Sequence, residues 1–309
     1  MINIPLVKTP LAKALPATEI RPGQAAAAYR KITVNMPQMA LEGLSENWLF
    51  KELGDIHWHL LHNGLQTRSA HLKDDAGNRV HATFVRTRFI SSIALNEFKE
   101  SEDLETESRI MRSGNSLYLS NILMNSPKGT LDAELITSFS SREKADNSRL
   151  TRSIPISKAN LIDEHPKVPD FVEEYKNIKK GTADGLYLDG VLFPISDEVI
   201  FRQHYELNPY YDMNGAGLLY FAAYPTINDI CEMKCFGPAQ DGKRWEQVYY
   251  TIARDVLYFS NCNIDDRIEY RVNHFAFMED DKVRIASSLY RESDGQLMAR
   301  IFTIKRKKQ

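Results

Sequence analysis

The same succession of patterns occurs twice along this chain: one strand-like stretch, one long helical stretch, then a run of further strands. A helix that is apolar over most of its surface has to be covered, and strands joined by short connections pair antiparallel. The arrangement that satisfies both is an antiparallel sheet curled around its own helix, made twice. In the first copy a strand pattern over Arg30–Asn35 precedes a helix after Gly43, where Leu49, Leu53, Ile56 and Leu60 form one stripe. Gly64 is the expected stop. Strand patterns follow over Val80–Ile90, Ser116–Leu123 and Leu131–Phe139, rich in β-branched and aromatic residues. In the second copy a strand over Val199–Leu207 precedes a helix that follows Gly217, passes through Leu219-Tyr220-Phe221-Ala222-Ala223-Tyr224 and ends near Phe236. Pro225 inside that pattern requires a kink or a first-turn position. Strands are expected over Tyr249–Phe259, Ile268–Met278, Val283–Arg291 and Leu297–Lys305, with turn signals at Asp280-Asp281 and Asp294-Gly295.

These patterns divide the chain into an Ala- and Pro-rich arm over 1–28, a first half over 29–154, a linker over 155–194 and a second half over 195–309. The linker mixes Pro with charged residues and holds one short helical pattern over Phe171–Lys180. The 309 residues, 43% of them hydrophobic, suffice for two cores. A formal net charge of -2 gives no bulk field for nucleic acid, and the terminal run Lys305, Arg306, Lys307 and Lys308 is expected to be a solvated tail. No apolar run of membrane-spanning length and no signal pattern is found, so no membrane partner is expected. Cys231, Cys235 and Cys262 are too few for a disulfide framework and fit buried thiols in a reducing cytoplasm.

The sharpest motif is Asp212-Met213-Asn214-Gly215-Ala216-Gly217, with Leu218-Leu219-Tyr220-Phe221 after it, at the second strand-to-helix junction. Free backbone N–H groups at a helix start stabilise negative charge, and a glycine such as Gly217 lets a ligand approach the backbone. Asp212 and Asn214 are equally good turn and cap residues. At the first junction Ser45 and Glu46 are expected to cap the helix, and Gly43 is the counterpart of Gly217 as a ligand-binding corner. On the strand after the first helix, His81, Thr83, Val85 and Thr87 fall on one face by period two, with Arg86 and Arg88 on the other. His81 is either a strand histidine with a satisfied hydrogen bond or a group that polarises a carbonyl, moves a proton or is itself acylated. Thr83 is a strand former or an oxyanion donor. Arg86 and Arg88 are solvated arginines or ligands for phosphate groups. His59 and His62 share a helix face while His57 does not, and no third ligand follows, so no metal is expected.

The pattern Asp212-x-Asn214-x-x-Gly217-x-x-Tyr220-Phe221 resembles the signature of hot-dog thioesterases of the 4-hydroxybenzoyl-CoA type, and of polyketide thioesterases of enediyne pathways. In the former the position of Asn214 is often a catalytic aspartate. A longer resemblance runs from about residue 30 to the C-terminus. Met36-Pro37-Gln38-Met39, Gly43-Leu44-Ser45-Glu46-Asn47-Trp48-Leu49, Glu52-Leu53-Gly54-Asp55, Ala82-Thr83-Phe84 and Arg254-Asp255-Val256-Leu257-Tyr258-Phe259 are similar to the double hot-dog biosynthetic proteins related to the leinamycin-pathway bifunctional acyltransferase/decarboxylase. The resemblance implies an α+β double hot-dog fold, a homodimer, and work on acyl thioesters in polyketide assembly. It implies acyl-CoA as substrate, an acyl carrier protein as partner, and no cofactor beyond the coenzyme A or phosphopantetheine that carries the acyl group. The tyrosine nucleophile proposed for that family belongs on the strand over Val80–Ile90, which contains no tyrosine.

The leading expectation is decarboxylation of a malonyl- or methylmalonyl-type thioester with transfer of the acyl group from coenzyme A to the carrier. Loss of CO2 leaves an enolate, which needs donors aimed at its oxygen rather than a carboxylate base. The candidate catalytic residues are His81, Asn214, Asp212 and Thr83, and the candidate substrate-binding residues are Gly43, Gly217, Tyr220 and Ser45. The alternatives are thioester hydrolysis with Asn214 positioning water, and a non-catalytic or dehydratase-like module that binds acyl carrier proteins. Convergence of His81 and Asn214 in one pocket is the feature that separates an enzyme from a binding module.

Overall fold

The computed structural model describes residues 26–143, 146–157, 160–237 and 242–308. The arm expected over 1–28 lies outside these residues except for its last three. The first half holds β1 (Ala27–Thr33), a short hairpin of β2 (Met39–Ala40) and β3 (Gly43–Leu44), helix α1 (Glu46–Leu65), and strands β4 (Val80–Ser91), β5 (Asp103–Ser113), β6 (Leu117–Asn125), β7 (Thr130–Glu143) and β8 (Asp146–Arg152). Helix α2 (Asp170–Lys180) and the hairpin of β9 (Gly185–Leu188) and β10 (Val191–Pro194) come next. The second half holds β11 (Phe201–Glu206), the one-turn helix α3 (Pro209–Asp212), helix α4 (Ala223–Phe236), the one-turn helix α5 (Trp245–Val248), and strands β12 (Tyr249–Tyr258), β13 (Arg267–Phe277), β14 (Lys282–Arg291) and β15 (Leu297–Lys307).

One antiparallel sheet runs through both halves in the order β1-β5-β6-β7-β4-β12-β15-β14-β13-β11, with β8 added to β7. Read inward from either end, the order is the same, and β4 meets β12 at the centre. The Cα partners Ser120–Leu135–Thr87–Val256–Ile301–Ser287 cross the sheet in a line that is symmetric about the Thr87/Val256 pair. Arg86 and Asp255 occupy equivalent places in the two halves, one residue before that pair. They carry opposite charges, are both fully buried and are joined at 2.5 Å, with Glu174 as a second partner of Arg86 at 2.6 Å. Two identical halves would set like charges here, so this pair suits one half joined to a different one. The pairing also corrects the expectation that Arg86 is solvated or holds phosphate.

Helix α1 buries its predicted stripe, Leu49, Leu53, Ile56 and Leu60. It runs past Gly64 and ends at Gln66, which takes the left-handed conformation (φ 51°). Gly64 serves packing instead: a Cβ there would lie 2.2 Å from Ile162 Cγ1. His57 is in the core, between the hydroxyls of Ser120 at 2.7 Å and Thr137 at 2.8 Å, and burial pulls its pKa down to about 3. Asn228 of α4 bonds Ser287 at 2.5 Å, the residue equivalent to Ser120. The second helix starts at Ala223, later than the apolar run suggested, so Pro225 sits in the first turn, where its missing N–H costs nothing. The apolar run Leu219–Ala222 is the entry loop, and α4 itself carries a buried polar edge. Glu232 there bonds Lys305 and Trp245, and Asp229 bonds Arg254 at 2.8 Å. Lys305 therefore belongs to β15 and the core, not to a solvated tail.

The segment over 155–194 folds onto the outer face of the central strands. Phe171, Val172, Tyr175 and Ile178 of α2, with Leu186, Leu188 and Phe193 of the hairpin, share a core with Val85, Ile252, Leu257 and Phe302. A bulge at Val85, between Phe84 and Arg86 in the β4–β7 register, lets the chain serve both cores. Before it, Ala82 and Phe84 face α1 and α4. After it, Phe89 faces them while Arg86 and Arg88 stack over Phe171 at 4.0 and 4.5 Å. His81 and Thr87, expected on one face, are thereby separated.

Candidate active site

The segment between α3 and α4 folds on itself around Asn214. Its Oδ1 accepts from the amides of Ala216 at 2.9 Å and Leu218 at 3.1 Å, and Gly217 N–H donates to the Asn214 carbonyl at 2.8 Å. Gly217 closes this turn with φ +75°, a conformation that favours glycine. The amides expected to be free at Gly217 are therefore spent within the loop. The first half pins the loop from outside: Arg142 Nη2 donates to the Ala216 carbonyl at 2.6 Å and Asn147 Nδ2 to the Gly217 carbonyl at 2.5 Å. Asn261 exchanges two bonds of 3.0 Å with the backbone of Leu219. The Asn214 Nδ2 donor has no hydrogen-bond partner among the described residues, while its Oδ1 is fully engaged. Rotation of the amide is thus blocked, and the donor has a fixed direction.

Two cavities meet at this loop. The first, about 430 Å³, is bounded near Asn214 by Phe84, Phe221, Tyr224 and Tyr258. The second, about 450 Å³, is bounded by Lys51, Arg79, His81, Tyr210 and Tyr211. Asn214, Tyr220, Trp58, Ala82 and Leu218 line both. His81 and Asn214 therefore converge on one space. The aromatic wall of the first cavity rests on Phe84 stacked on Phe221 at 3.9 Å. Phe221 comes so close to α1 that a Cβ on Gly54 would lie 2.5 Å from its ring. His81 is half-buried, and desolvation together with Arg79 and Arg142 lowers its pKa, so the neutral ring is favoured. Among the described residues lining either cavity there is no carboxylate, although the chain has 41 acidic residues.

Thr83 lines the first cavity, with its hydroxyl 3.4 Å from the His81 carbonyl. Tyr220 stands at the junction, its pKa raised by burial and by Asp55. Asp212 is buried outside both cavities, where it accepts from Asn208 N–H at 2.7 Å and Tyr205 hydroxyl at 3.1 Å, and burial raises its pKa. It holds the α3 turn, and its backbone carbonyl receives Tyr220 N–H at 2.7 Å. Gly217 shapes the loop without lining either cavity. Ser45 caps α1 through Trp48 N–H at 3.3 Å. Gly43 faces backbone, since a Cβ there would lie 2.2 Å from Asn96 Cα. The corner at Gly43 is thus filled by protein, and neither Gly43 nor Ser45 lines a cavity near Asn214. Among the described residues no group of three His, Cys, Asp or Glu side chains is set to hold a metal, and no helix is long and apolar enough to cross a membrane. Arg142, Asn147 and Asn261 were not singled out in the sequence, because each acts on a loop distant from it along the chain.

No family model and no curated protein matches the sequence. Solved structures do match in fold. The 12:0-ACP thioesterase from Umbellularia californica superposes with TM-score 0.60 and 13% identity, over 91% of this chain and 94% of that one. A Lactobacillus plantarum structure assigned as an oleoyl thioesterase gives 0.62 and 10%, over 93% and 98%. An acyl-ACP thioesterase from Bacteroides thetaiotaomicron gives 0.55 and 10%, over 91% and 98%. At such identities the likeness is one of architecture: this chain has the α+β hot-dog fold in its doubled form.

Proposed function

We propose that the protein is an enzyme that cleaves acyl thioesters by hydrolysis at the Asn214 corner. The observation that carries this is the meeting, in one cavity, of a fixed and otherwise unused amide donor with a neutral imidazole. Asn214 Nδ2 donates to the thioester carbonyl oxygen and holds the negative charge that develops there. His81 accepts a proton from water as the water oxygen bonds to the carbonyl carbon. The C–S bond then breaks, the thiolate takes the proton from the imidazolium, and an acid and a thiol are released. Thr83 and Tyr220 border the reacting group, and the aromatic wall of Phe84 and Phe221 receives the acyl portion. As proposed, the chemistry draws on side chains and on the carrier, coenzyme A or an acyl carrier protein's phosphopantetheine, that brings the acyl group. The neighbours in fold named as acyl-ACP thioesterases favour the same class of substrate.

A second reading is favoured by the cationic, carboxylate-free lining, in which Lys51 and Arg79 suit a substrate that itself bears a carboxylate. On this reading a malonyl-type thioester loses CO2, Asn214 stabilises the enolate until it takes a proton from water, and the carrier's thiol then displaces coenzyme A, which leaves as the free thiol. The test is to incubate the protein with acetyl-, butyryl-, malonyl- and methylmalonyl-CoA, follow free thiol, and weigh the products. Free thiol with the intact acid supports hydrolysis. Propionyl-CoA from methylmalonyl-CoA, with or without transfer to a holo carrier, supports decarboxylation. No change in any thioester removes both.

A further inference from the structure

The first cavity has a part the proposed chemistry does not use. From Asn214 it continues past Thr83 and across the outer face of β6, β7 and β8 to helix α2. This part is lined by hydroxyls: Ser116, Ser138, Ser140 and Ser148. Those of Ser116, Ser138 and Ser140 have no hydrogen-bond partner among the described residues. At the α2 side stand Lys176, Lys179 and Arg152. Among the described residues none of these three is in an ion pair; Lys179 lies over the ring of Tyr175 at 5.9 Å. Elsewhere in the chain even exposed cations are commonly paired, as Lys31 with Asp103 at 2.9 Å and Arg202 with Glu269 at 3.4 Å. A cavity with hydroxyls along its length and unneutralised cations at its end is complementary to a linear, amide-bearing arm that terminates in an anion.

We infer that this extension, ending at Lys176, Lys179 and Arg152, is a subsite for the pantetheine arm and its 4′-phosphate. The inference rests on the thioester reading of Asn214, which fixes where the sulfur lies. Pantetheine supplies amide groups for the serine hydroxyls, and the phosphate supplies the charge for the cations. Helix α2 then does more than bridge the halves. Its apolar side, Phe171, Tyr175 and Ile178, fixes it to the sheet, and Lys176 and Lys179 are left at the cavity mouth. Coenzyme A and a phosphopantetheinylated carrier present the same phosphate, so the shared chemistry is what the subsite recognises.

The test is direct binding by titration calorimetry, which does not depend on turnover, with pantetheine, pantetheine 4′-phosphate and coenzyme A. Wild type should bind pantetheine 4′-phosphate about tenfold more tightly than pantetheine, and high salt should erode the difference. The double variant Lys176→Ala/Lys179→Ala, and separately Arg152→Ala, should lose that preference while binding of pantetheine is unchanged. Equal affinity for coenzyme A and pantetheine 4′-phosphate assigns the gain to the shared phosphate; tighter binding of coenzyme A adds a contribution from its nucleotide. The inference is overturned if wild type does not distinguish pantetheine from its phosphate, or if the variants weaken both alike. Acyl-pantetheine, which lacks the phosphate, reports separately on the chemistry: its failure to react counts against the proposed function and leaves the phosphate preference as the measure of the subsite.

Discussion

Asn214 has two functions on its two amide atoms, and a pair of substitutions separates them. Asn214→Asp keeps an oxygen to accept from Ala216 and Leu218, at 2.9 and 3.1 Å, and replaces the Nδ2 donor with a charged carboxylate oxygen. Asn214→Ala removes the donor and both loop bonds. Loss of one oxyanion donor costs on the order of 10²–10³ in kcat, about 3–4 kcal/mol of transition-state stabilisation. Two backbone amides left without their acceptor cost about 1–3 kcal/mol of stability in total, since the half-buried loop lets water replace part of the loss. The expected outcome is a large and similar loss of kcat in both variants, with stability retained in Asn214→Asp and lowered in Asn214→Ala. Thiol release from acyl-pantetheine gives kcat, and urea denaturation followed by circular dichroism gives stability. Wild-type kcat in both variants would refute the donor role, because neither retains the Nδ2 donor and only one of them brings in a carboxylate that could act in its place.

The remaining predictions concern a base, a buried imidazole and a filled corner. If neutral His81 is the base, kcat/KM should rise with pH along a limb whose midpoint lies below the ordinary histidine value of 6.5, the direction set by burial, Arg79 and Arg142. That limb should vanish in His81→Gln, and a profile unchanged by the substitution removes His81 from the chemistry. His57, with a pKa of about 3 in the folded protein, refuses a proton that the unfolded chain takes up near 6.5. Its contribution to stability is complete above pH 6.5 and falls by up to about 1.4 kcal/mol per unit as the pH drops toward 3. His57→Asn, which copies Asn228 at the equivalent place in α4, should lessen the loss of stability between pH 7 and pH 4 by about 3 kcal/mol in urea denaturation; an equal loss in both proteins means His57 is not held neutral. Gly43→Ala sets a Cβ 2.2 to 2.4 Å from the backbone of Asn96 and Leu95, and should destabilise by about 1–3 kcal/mol with little effect on the kcat of the folded enzyme. A selective loss of kcat at unchanged stability would return Gly43 to the substrate.

The doubled architecture was legible because a helical stripe and a run of alternating strands survive without knowledge of their partners. Strand β5 was not recognised, since its inward positions include Thr106 and Ser108 beside Leu104 and Ile110, so the apolar alternation is broken by hydroxyls. The segment over 155–194 read as a linker because α2 and the hairpin are short and flanked by charge; their apolar residues gain meaning only against β4 and β12. The burial of Arg86 was equally hidden, as its partner Asp255 lies 169 residues away. At the site, the motif from Asp212 to Gly217 marked the right corner and left the roles open. Asp212 and Gly217 shape the loop, and Asn214 alone of the three faces the cavities. That division follows from hydrogen bonds within a tight loop, which residue types do not specify.

The two halves are built alike, yet only one of the two helix-start corners is open. At the start of α4, the small residues Gly215 and Ala216 line a cavity beside β4. At the start of α1, the corresponding space beside β12 is taken up by protein: Gly43 abuts the backbone of Leu95 and Asn96, and the Glu46 carboxylate accepts from Thr251 at 2.9 Å and Arg254 at 3.0 Å. Arg254 continues to Asp229, and Asp229 to Lys305 at 3.2 Å, so this corner ties the first helix to two strands of the second half. Such a buried charged network is a poor source of net stability, but breaking it leaves uncompensated charge, which opposes any other relative placement of the halves. Placement is what the open corner depends on, because Asn214 belongs to the second half while His81, Arg142 and Asn147 belong to the first. The filled corner thus fixes the geometry across which the open one works, a division of labour that a fused pair of halves permits and two identical chains do not.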